Sequence, residues 1–154
     1  LSDEIIGFTD IRAAGFHYGV KMKSPSDWFH FFVLNPLGGL LPPVRKYMRR
    51  KNTDALIALI RKYAVTFVSH PGEKAEVEIV RLAEACAEEG VWLEINAHHA
   101  QLDVEHLKEA MEVPGAVFVI NSDAHRPEDI GTTEAGVLRA KEAKLPKERI
   151  TNAE

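Results

Sequence analysis

The sequence predicts an α/β chain built on a parallel sheet, a part of a TIM-like (β/α) barrel rather than a whole one. Three observations lead there. Short apolar runs alternate with amphipathic stretches in the order strand, helix, repeated about four times along 154 residues. The runs at 65–69, 91–95 and 117–120 are apolar almost throughout, the pattern of parallel strands covered on both faces. Each run also ends in side chains able to do chemistry, which is where barrels of this kind carry their sites.

Taken in order, residues 11–16 read as a short strand of small residues ending at His17. The stretch 18–52 reads as a long loop insertion. It holds the aromatic cluster Trp28-Phe-His-Phe-Phe32, then Asn35-Pro-Leu-Gly-Gly39, Pro42-Pro43 and a basic run from Arg45 to Lys51. Loops of that length are usually lids or contact surfaces. Thr53-Asp54 offers an N-cap for a helix that buries Leu56, Ile57, Leu59, Ile60 and Tyr63. After the strand at 65–69, the spacing of Val77, Val80, Ala83 and Cys86 predicts a helix over 73–89, stopped by Gly90. The strand at 91–95 follows, then a helix capped by Asp103 and running through Leu107 to Met111. Residues 117–120 make the fourth strand, and Thr132 or Thr133 starts a helix to about Lys141.

Length argues for one domain across 1–154. A whole barrel needs roughly 200 residues or more, so four units amount to half to two-thirds of one. The chain opens on Leu1 with no clear strand, and the expectation is a domain missing its N-terminal strands. A formal charge of −4 gives no support for a nucleic-acid surface. Cys86 alone leaves no internal disulfide and fits a reducing, cytoplasmic setting. Nothing approaches roughly 18 consecutive apolar residues, so no membrane span is expected.

The chemistry concentrates in Asn121-Ser-Asp-Ala-His125. Side chains two apart on an extended segment point the same way, so Asp123 and His125 make a pair of metal donors at a strand mouth. The plainer alternative is an Asx turn capping the next helix. His70 stands before Pro71-Gly72, which ends its strand sharply and leaves the imidazole at the rim. Glu94 interrupts an apolar strand and shares a face with Asn96. A carboxylate there needs partners, as ligand or as the group that orients one. His98 and His99 follow on a loop, able to meet a metal or a substrate phosphate, or merely solvent. His30 reads as structural or interfacial, His106 as exposed, and the Arg45 to Lys51 run as a solvated helix face.

These motifs resemble a known family. Ser69-His-Pro-Gly72, Leu93-Glu-Ile-Asn96 and Asn121-Ser-Asp-Ala-His125 are similar, in order and spacing, to the later motifs of the PHP (polymerase and histidinol phosphatase) superfamily; Ala14-Gly-Phe-His17 and Ile130-Gly-Thr extend the match. The resemblance implies a distorted (β/α)7 barrel, metal-dependent hydrolysis of phosphate esters and a small phosphorylated substrate. It implies a cluster of divalent metals (zinc, manganese or iron), with His17 and His70 on one metal, Asp123 on a second and His125 on a third. Asp123 and His125 would be the catalytic pair, with Glu94, Asn96, His98 and His99 lining the substrate or bracing the ligands.

The family's opening His-x-His motif has no counterpart here, and Asp3 and Glu4 are poor substitutes for its bridging glutamate. The resemblance therefore implies weakened metal binding and turnover in this chain. Exposed sheet edges would then favour a homo-oligomer or a partner segment supplying the missing strands. The alternative is a non-catalytic binding or structural module completed by a partner chain. An unrelated amidohydrolase-type barrel fits less well, because neither its bridging lysine nor its paired histidines has a place in this sequence.

Overall fold

The computed structural model describes residues 8–19 and 22–153; Asp3 and Glu4 lie outside them. Four strands, β1 (Ala13–Ala14), β2 (Phe67–Val68), β3 (Trp92–Asn96) and β4 (Phe118–Asn121), form one sheet in the order β1-β2-β3-β4. Every pairing is parallel. Each strand is followed by a helix that returns the chain to the start of the next, as parallel pairing requires.

The register sorts the side chains into rows. Ala14 pairs with Val68, Val68 with Leu93 and Leu93 with Phe118, while Ile95 pairs with Ile120. All of these are buried. Glu94 and Asn96 alternate with them and so occupy the opposite face. The apolar face is covered by α3 (Pro42–Lys62), α4 (Ile79–Glu89), α5 (Val104–Met111) and α6 (Glu134–Glu142), each packed on the next in turn. Leu56 and Ile60 of α3, Leu82 and Cys86 of α4, Leu107 of α5 and Ala140 of α6 complete this core. Burial pushes the Cys86 thiol up to about 12, so it behaves as a small apolar side chain.

The segment 18–52 was expected to be a long loop, and its described residues are mostly helical instead. It holds α1 (Pro25–Phe29), a π turn (His30–Leu34), α2 (Asn35–Gly38) and the first half of α3. The reason is proline placement. Pro25, Pro36 and Pro42 stand in the first turns of their helices, where the missing N–H costs nothing, so prolines that look like breakers are starters. Ser24 caps α1 by accepting from the Asp27 N–H at 3.1 Å.

Thr53, expected as a cap, sits inside α3 and is fully buried. Its hydroxyl donates to the Arg49 carbonyl at 2.7 Å and accepts the Glu78 N–H at 2.8 Å. That second bond pins the residue before α4. The helix expected from residue 73 accordingly begins only at Ile79, leaving 73–78 irregular. Gly90 ends α4 at φ 67°, as its position suggested. Asp103 caps α5 by accepting from the His106 N–H at 2.9 Å.

Beyond β4, Ile150 bridges to Phe118 in parallel, and the Asn152 amide takes both backbone groups of Ile120, at 3.1 and 2.7 Å. The sheet thus continues past β4, while among the described residues no strand pairs with the outer edge of β1. The architecture is an α/β arc of parallel strands with helices on one face. Among the described residues no helix is long and apolar enough to cross a membrane.

Gly136 brings α6 directly onto the sheet. A Cβ there would lie 2.9 Å from the Ile120 Cγ2 and 3.2 Å from the Ile95 carbonyl oxygen. Gly136→Ala is expected to lower the unfolding free energy by about 1–3 kcal/mol in urea denaturation. An unchanged midpoint would show that α6 is free to lift from the sheet.

Candidate functional site

The C-terminal ends of the strands gather the polar residues of the chain around one buried carboxylate. Glu94 has no exposed surface. Its Oε2 accepts from the Ser69 hydroxyl (3.0 Å), the His70 N–H (2.6 Å) and the Asn96 amide (2.9 Å), while its Oε1 accepts from the Asn121 amide (2.7 Å). Four donors from β3, β4 and the end of β2 offset the desolvation that a buried charge otherwise costs.

Asn96 carries this order outward. Its amide also donates to the Asp123 Oδ2 at 3.1 Å, and its side-chain Oδ1 accepts the N–H groups of His98 and His99, each at 2.9 Å. From the helix side, the Arg139 guanidinium donates to the carbonyls of Asn96, His99 and Leu102, holding the loop after β3 from below. Burial depresses the Arg139 pKa, and Asp103 partly offsets this.

His17, His70, Glu94, Asn96, His98, His99, Asp123 and His125 lie at this end of the sheet. The rings of His17 and His70 meet edge to face with centroids 4.8 Å apart, and His70 lies 5.5 Å from His99. His98 stands 6.0 Å from His99 and 6.3 Å from His125. Five imidazoles thus run across the strand mouths with Asp123 beside them. His17, His98 and His125 are exposed, His70 is buried, and His99 and Asp123 lie between these extremes. Among the described residues no three or more His, Cys, Asp or Glu donors close on one metal position; they meet as pairs.

The backbone is bent to present these groups. His70 adopts φ 30° and Asp123 φ 52°, both in the left-handed region that non-glycine residues rarely enter. Gly15 leaves space beside them, since a Cβ there would come within 3.3 Å of the His70 Cε1. Burial, followed by the neighbouring His17, lowers the His70 pKa, which favours the neutral ring. The His125 Nδ1 lies 2.8 Å from the Asp123 carbonyl oxygen. A carbonyl can only accept, so the proton belongs on Nδ1 and the lone pair on Nε2.

Sequence reasoning passed over several participants. Glu73, read as the first residue of a helix, instead sits in the irregular segment after Gly72, with its carboxylate 3.2 Å from the His99 Nδ1 and 2.9 Å from the Lys74 Nζ. Burial raises the Glu73 pKa, but Lys74 and His99 outweigh it and leave the group anionic. Ser69 and Asn121 stood inside the motifs without a role, and Arg139 fell within the helix expected up to about Lys141 with none assigned. His30 packs against Tyr47, with Nε2 3.2 Å from the phenol oxygen, consistent with a structural role. His106 is half-buried rather than exposed, beside Asp103. Arg45 and Arg49 do not simply face solvent: Arg45 pairs with Glu76 at 2.7 Å, and Arg49 donates to the Val77 carbonyl.

No family model matches the sequence. Similarity to individual proteins is clear. The chain is 32% identical over 113 residues to a probable phosphatase of Edwardsiella ictaluri, covering 68% of this chain and 46% of that protein. It is 34% identical over 120 residues to the DNA polymerase/3'-5' exonuclease PolX of Bacillus subtilis, covering 72% of this chain and 20% of that protein. It is 31% identical over 119 residues to the probable phosphatase YcdX of Escherichia coli, covering 72% of this chain and 49% of that protein. The chain therefore spans about half the length of these phosphatases and a fifth of the polymerase.

If Glu94 anchors the strand ends, Glu94→Gln should lower stability by about 1–3 kcal/mol, because an amide offers one acceptor fewer to four donors. Denaturant unfolding measures this, and a loss below a few tenths of a kcal/mol would show that the network is not what fixes these ends.

Proposed function

This chain belongs to the PHP superfamily of phosphoesterases, and on that premise we propose that it hydrolyses phosphate esters at the strand mouths with divalent metal bound there. The observation that carries the reading is the convergence of His17, His70, Asp123 and His125 on one end of a parallel sheet, braced from beneath by Glu94 and Asn96. In this reading the parallel arc is a segment of a (β/α)7 barrel, and the site lies at its C-terminal rim.

The donor set fits a divalent metal. Imidazole and carboxylate together suit zinc, manganese and iron. Burial lowers the His70 pKa and so favours the neutral ring, and the His125 Nδ1 faces a carbonyl so that Nε2 is left to bind. His17 and His70 would hold one metal, Asp123 a second and His125 a third. When bound, such a metal supplies Lewis acidity toward the phosphoryl oxygens and eases deprotonation of water near neutral pH.

The side chains do the rest. Asp123, fixed through its Oδ2 by Asn96, keeps a carboxylate aimed at the site and orients the attacking water. His125 faces the leaving-group or non-bridging oxygen from the exposed side. His98 is placed to meet substrate phosphate at the rim, and Lys74 adds positive charge close by. A small phosphorylated molecule is the expected substrate.

The test is hydrolysis of p-nitrophenyl phosphate with added zinc or manganese. Asp123→Asn should lower kcat/KM at least a hundredfold, and a chelator should abolish the activity reversibly. Activity indifferent to both would sink the proposal.

A second reading, a module that docks on another chain or a second copy, draws on one observation. Trp28 and Phe29 of α1 and Leu40 and Leu41 of the turn before α3 are exposed, and the outer edge of β1 meets no described strand. Sedimentation should then show self-association; a concentration-independent monomer would remove this reading.

A further inference from the structure

We propose that the segment from α1 to the first half of α3 docks on an anionic lipid bilayer. Trp28, Phe29, Leu40 and Leu41 enter the interface, and Lys46, Arg50 and Lys51 meet the headgroup phosphates. The inference stands independently of the phosphoesterase reading.

Charge is the first observation. From Trp28 to Thr53 the sequence holds no Asp or Glu, although the chain carries 23 of them and a formal charge of −4. The same stretch holds five cations, Arg45, Lys46, Arg49, Arg50 and Lys51. Two of them meet a carboxylate of the chain: Arg45 pairs with Glu76 at 2.7 Å, and Arg49 lies 4.0 Å from it. Lys46, Arg50 and Lys51 are exposed and form no ion pair among the described residues. A basic run left uncompensated on an acidic chain directs its field at an external anion.

Exposed apolar surface is the second. Leu40 is 79% exposed and Trp28 53%, and Phe29, Leu41 and Tyr47 are exposed as well. The two kinds of residue are joined through His30. The Phe29 ring meets His30 at 6.3 Å between centroids, and His30 meets Tyr47 at 6.1 Å. Tyr47 shares the outward side of α3 with Lys46, Arg50 and Lys51, while Met48 and Asn52 are buried on the inward side. Leu40 and Leu41 stand at the N-terminus of that helix. Indole, phenol and leucine beside long cationic side chains are the chemistry of a helix lying in a membrane interface. No described helix is long and apolar enough to span a bilayer, so the contact is peripheral.

The combination selects among partners. A nucleic acid would neutralise the cations and leave Leu40 and Leu41 in water. A second copy seated through the same patch would set like charges against each other. An anionic bilayer takes both, with phosphates for the cations and the acyl boundary for the apolar side chains.

Flotation of the full chain with mixed phosphatidylglycerol and phosphatidylcholine vesicles tests this, beside vesicles of phosphatidylcholine alone. The chain should float with the anionic vesicles, and less so as salt rises. Lys46→Glu, Arg50→Glu and Lys51→Glu together should weaken binding roughly a hundredfold. Leu40→Gln with Leu41→Gln should weaken it about tenfold. All five positions are exposed, and circular dichroism checks that both variants are folded. None lies at the strand mouths, so vesicle binding is read whether or not the chain hydrolyses p-nitrophenyl phosphate. Absence of flotation with anionic vesicles, or flotation that neither variant weakens, overturns the inference. If the chain does not float but binds a duplex DNA oligomer through the cations alone, the surface belongs to nucleic acid and the inference falls. A dimer lost in the leucine variant, again without flotation, assigns the surface to a second copy and overturns it too.

Discussion

Burial of the Glu94 carboxylate is the constraint on which the rest of this end of the molecule depends. A charge removed from water costs several kcal/mol unless hydrogen bonds replace its hydration. Glu94 recovers that cost from four donors, and those donors belong to the end of β2, to β3 itself and to β4. Meeting the needs of one side chain therefore ties three strand ends together. A parallel ladder supplies the same tie only along the strands, and β2 is two residues long, so the network holds what the ladder is too short to hold.

The strained backbone follows from this anchoring. The His70 N–H must turn inward to reach Glu94 while its ring turns outward toward His17, and the left-handed conformation at His70 meets both demands. Asp123 also adopts the left-handed conformation after β4, and its carboxylate is caught by Asn96. Strain of this kind costs about 1–3 kcal/mol per residue and persists where neighbouring contacts over-determine the conformation. Here it falls on two of the groups we propose to bind metal, so the bonds that stabilise the sheet also hold those groups in place.

The helices contribute from the other face. Arg139 of α6 passes beside β3 to the carbonyls of the loop that carries His98 and His99, and Gly136 permits the close approach. Thr53 of α3 stops α4 from starting early, which leaves Glu73 in irregular backbone within reach of His99. The packing of α3 against α4 is thereby connected to the placement of a carboxylate at the strand mouth. Neither helix supplies a residue to the imidazole row, yet both decide where its members stand.

Much of this was legible in the one-dimensional pattern. Apolar runs of four or five residues between amphipathic stretches dictate parallel strands with crossover helices, because no other arrangement buries both. Glu94 within such a run announced a need for partners, and the histidines and Asp123 at the run ends announced a site, since residues at strand termini are brought together by any parallel sheet. Local chemistry also determined the stops at Gly90 and the cap at Asp103. What the sequence could not determine rests on contacts between residues distant in the chain. The helices within 18–52 were hidden because a proline reads alike at a helix start and in a loop, and only packing on α4 distinguishes the two. Apart from Asn96, the partners of Glu94, the bracing by Arg139 and the pairing of Glu73 with His99 span between 24 and 43 residues of sequence. Their distances follow from how the sheet and helices stack, and stacking is decided by the tertiary structure alone.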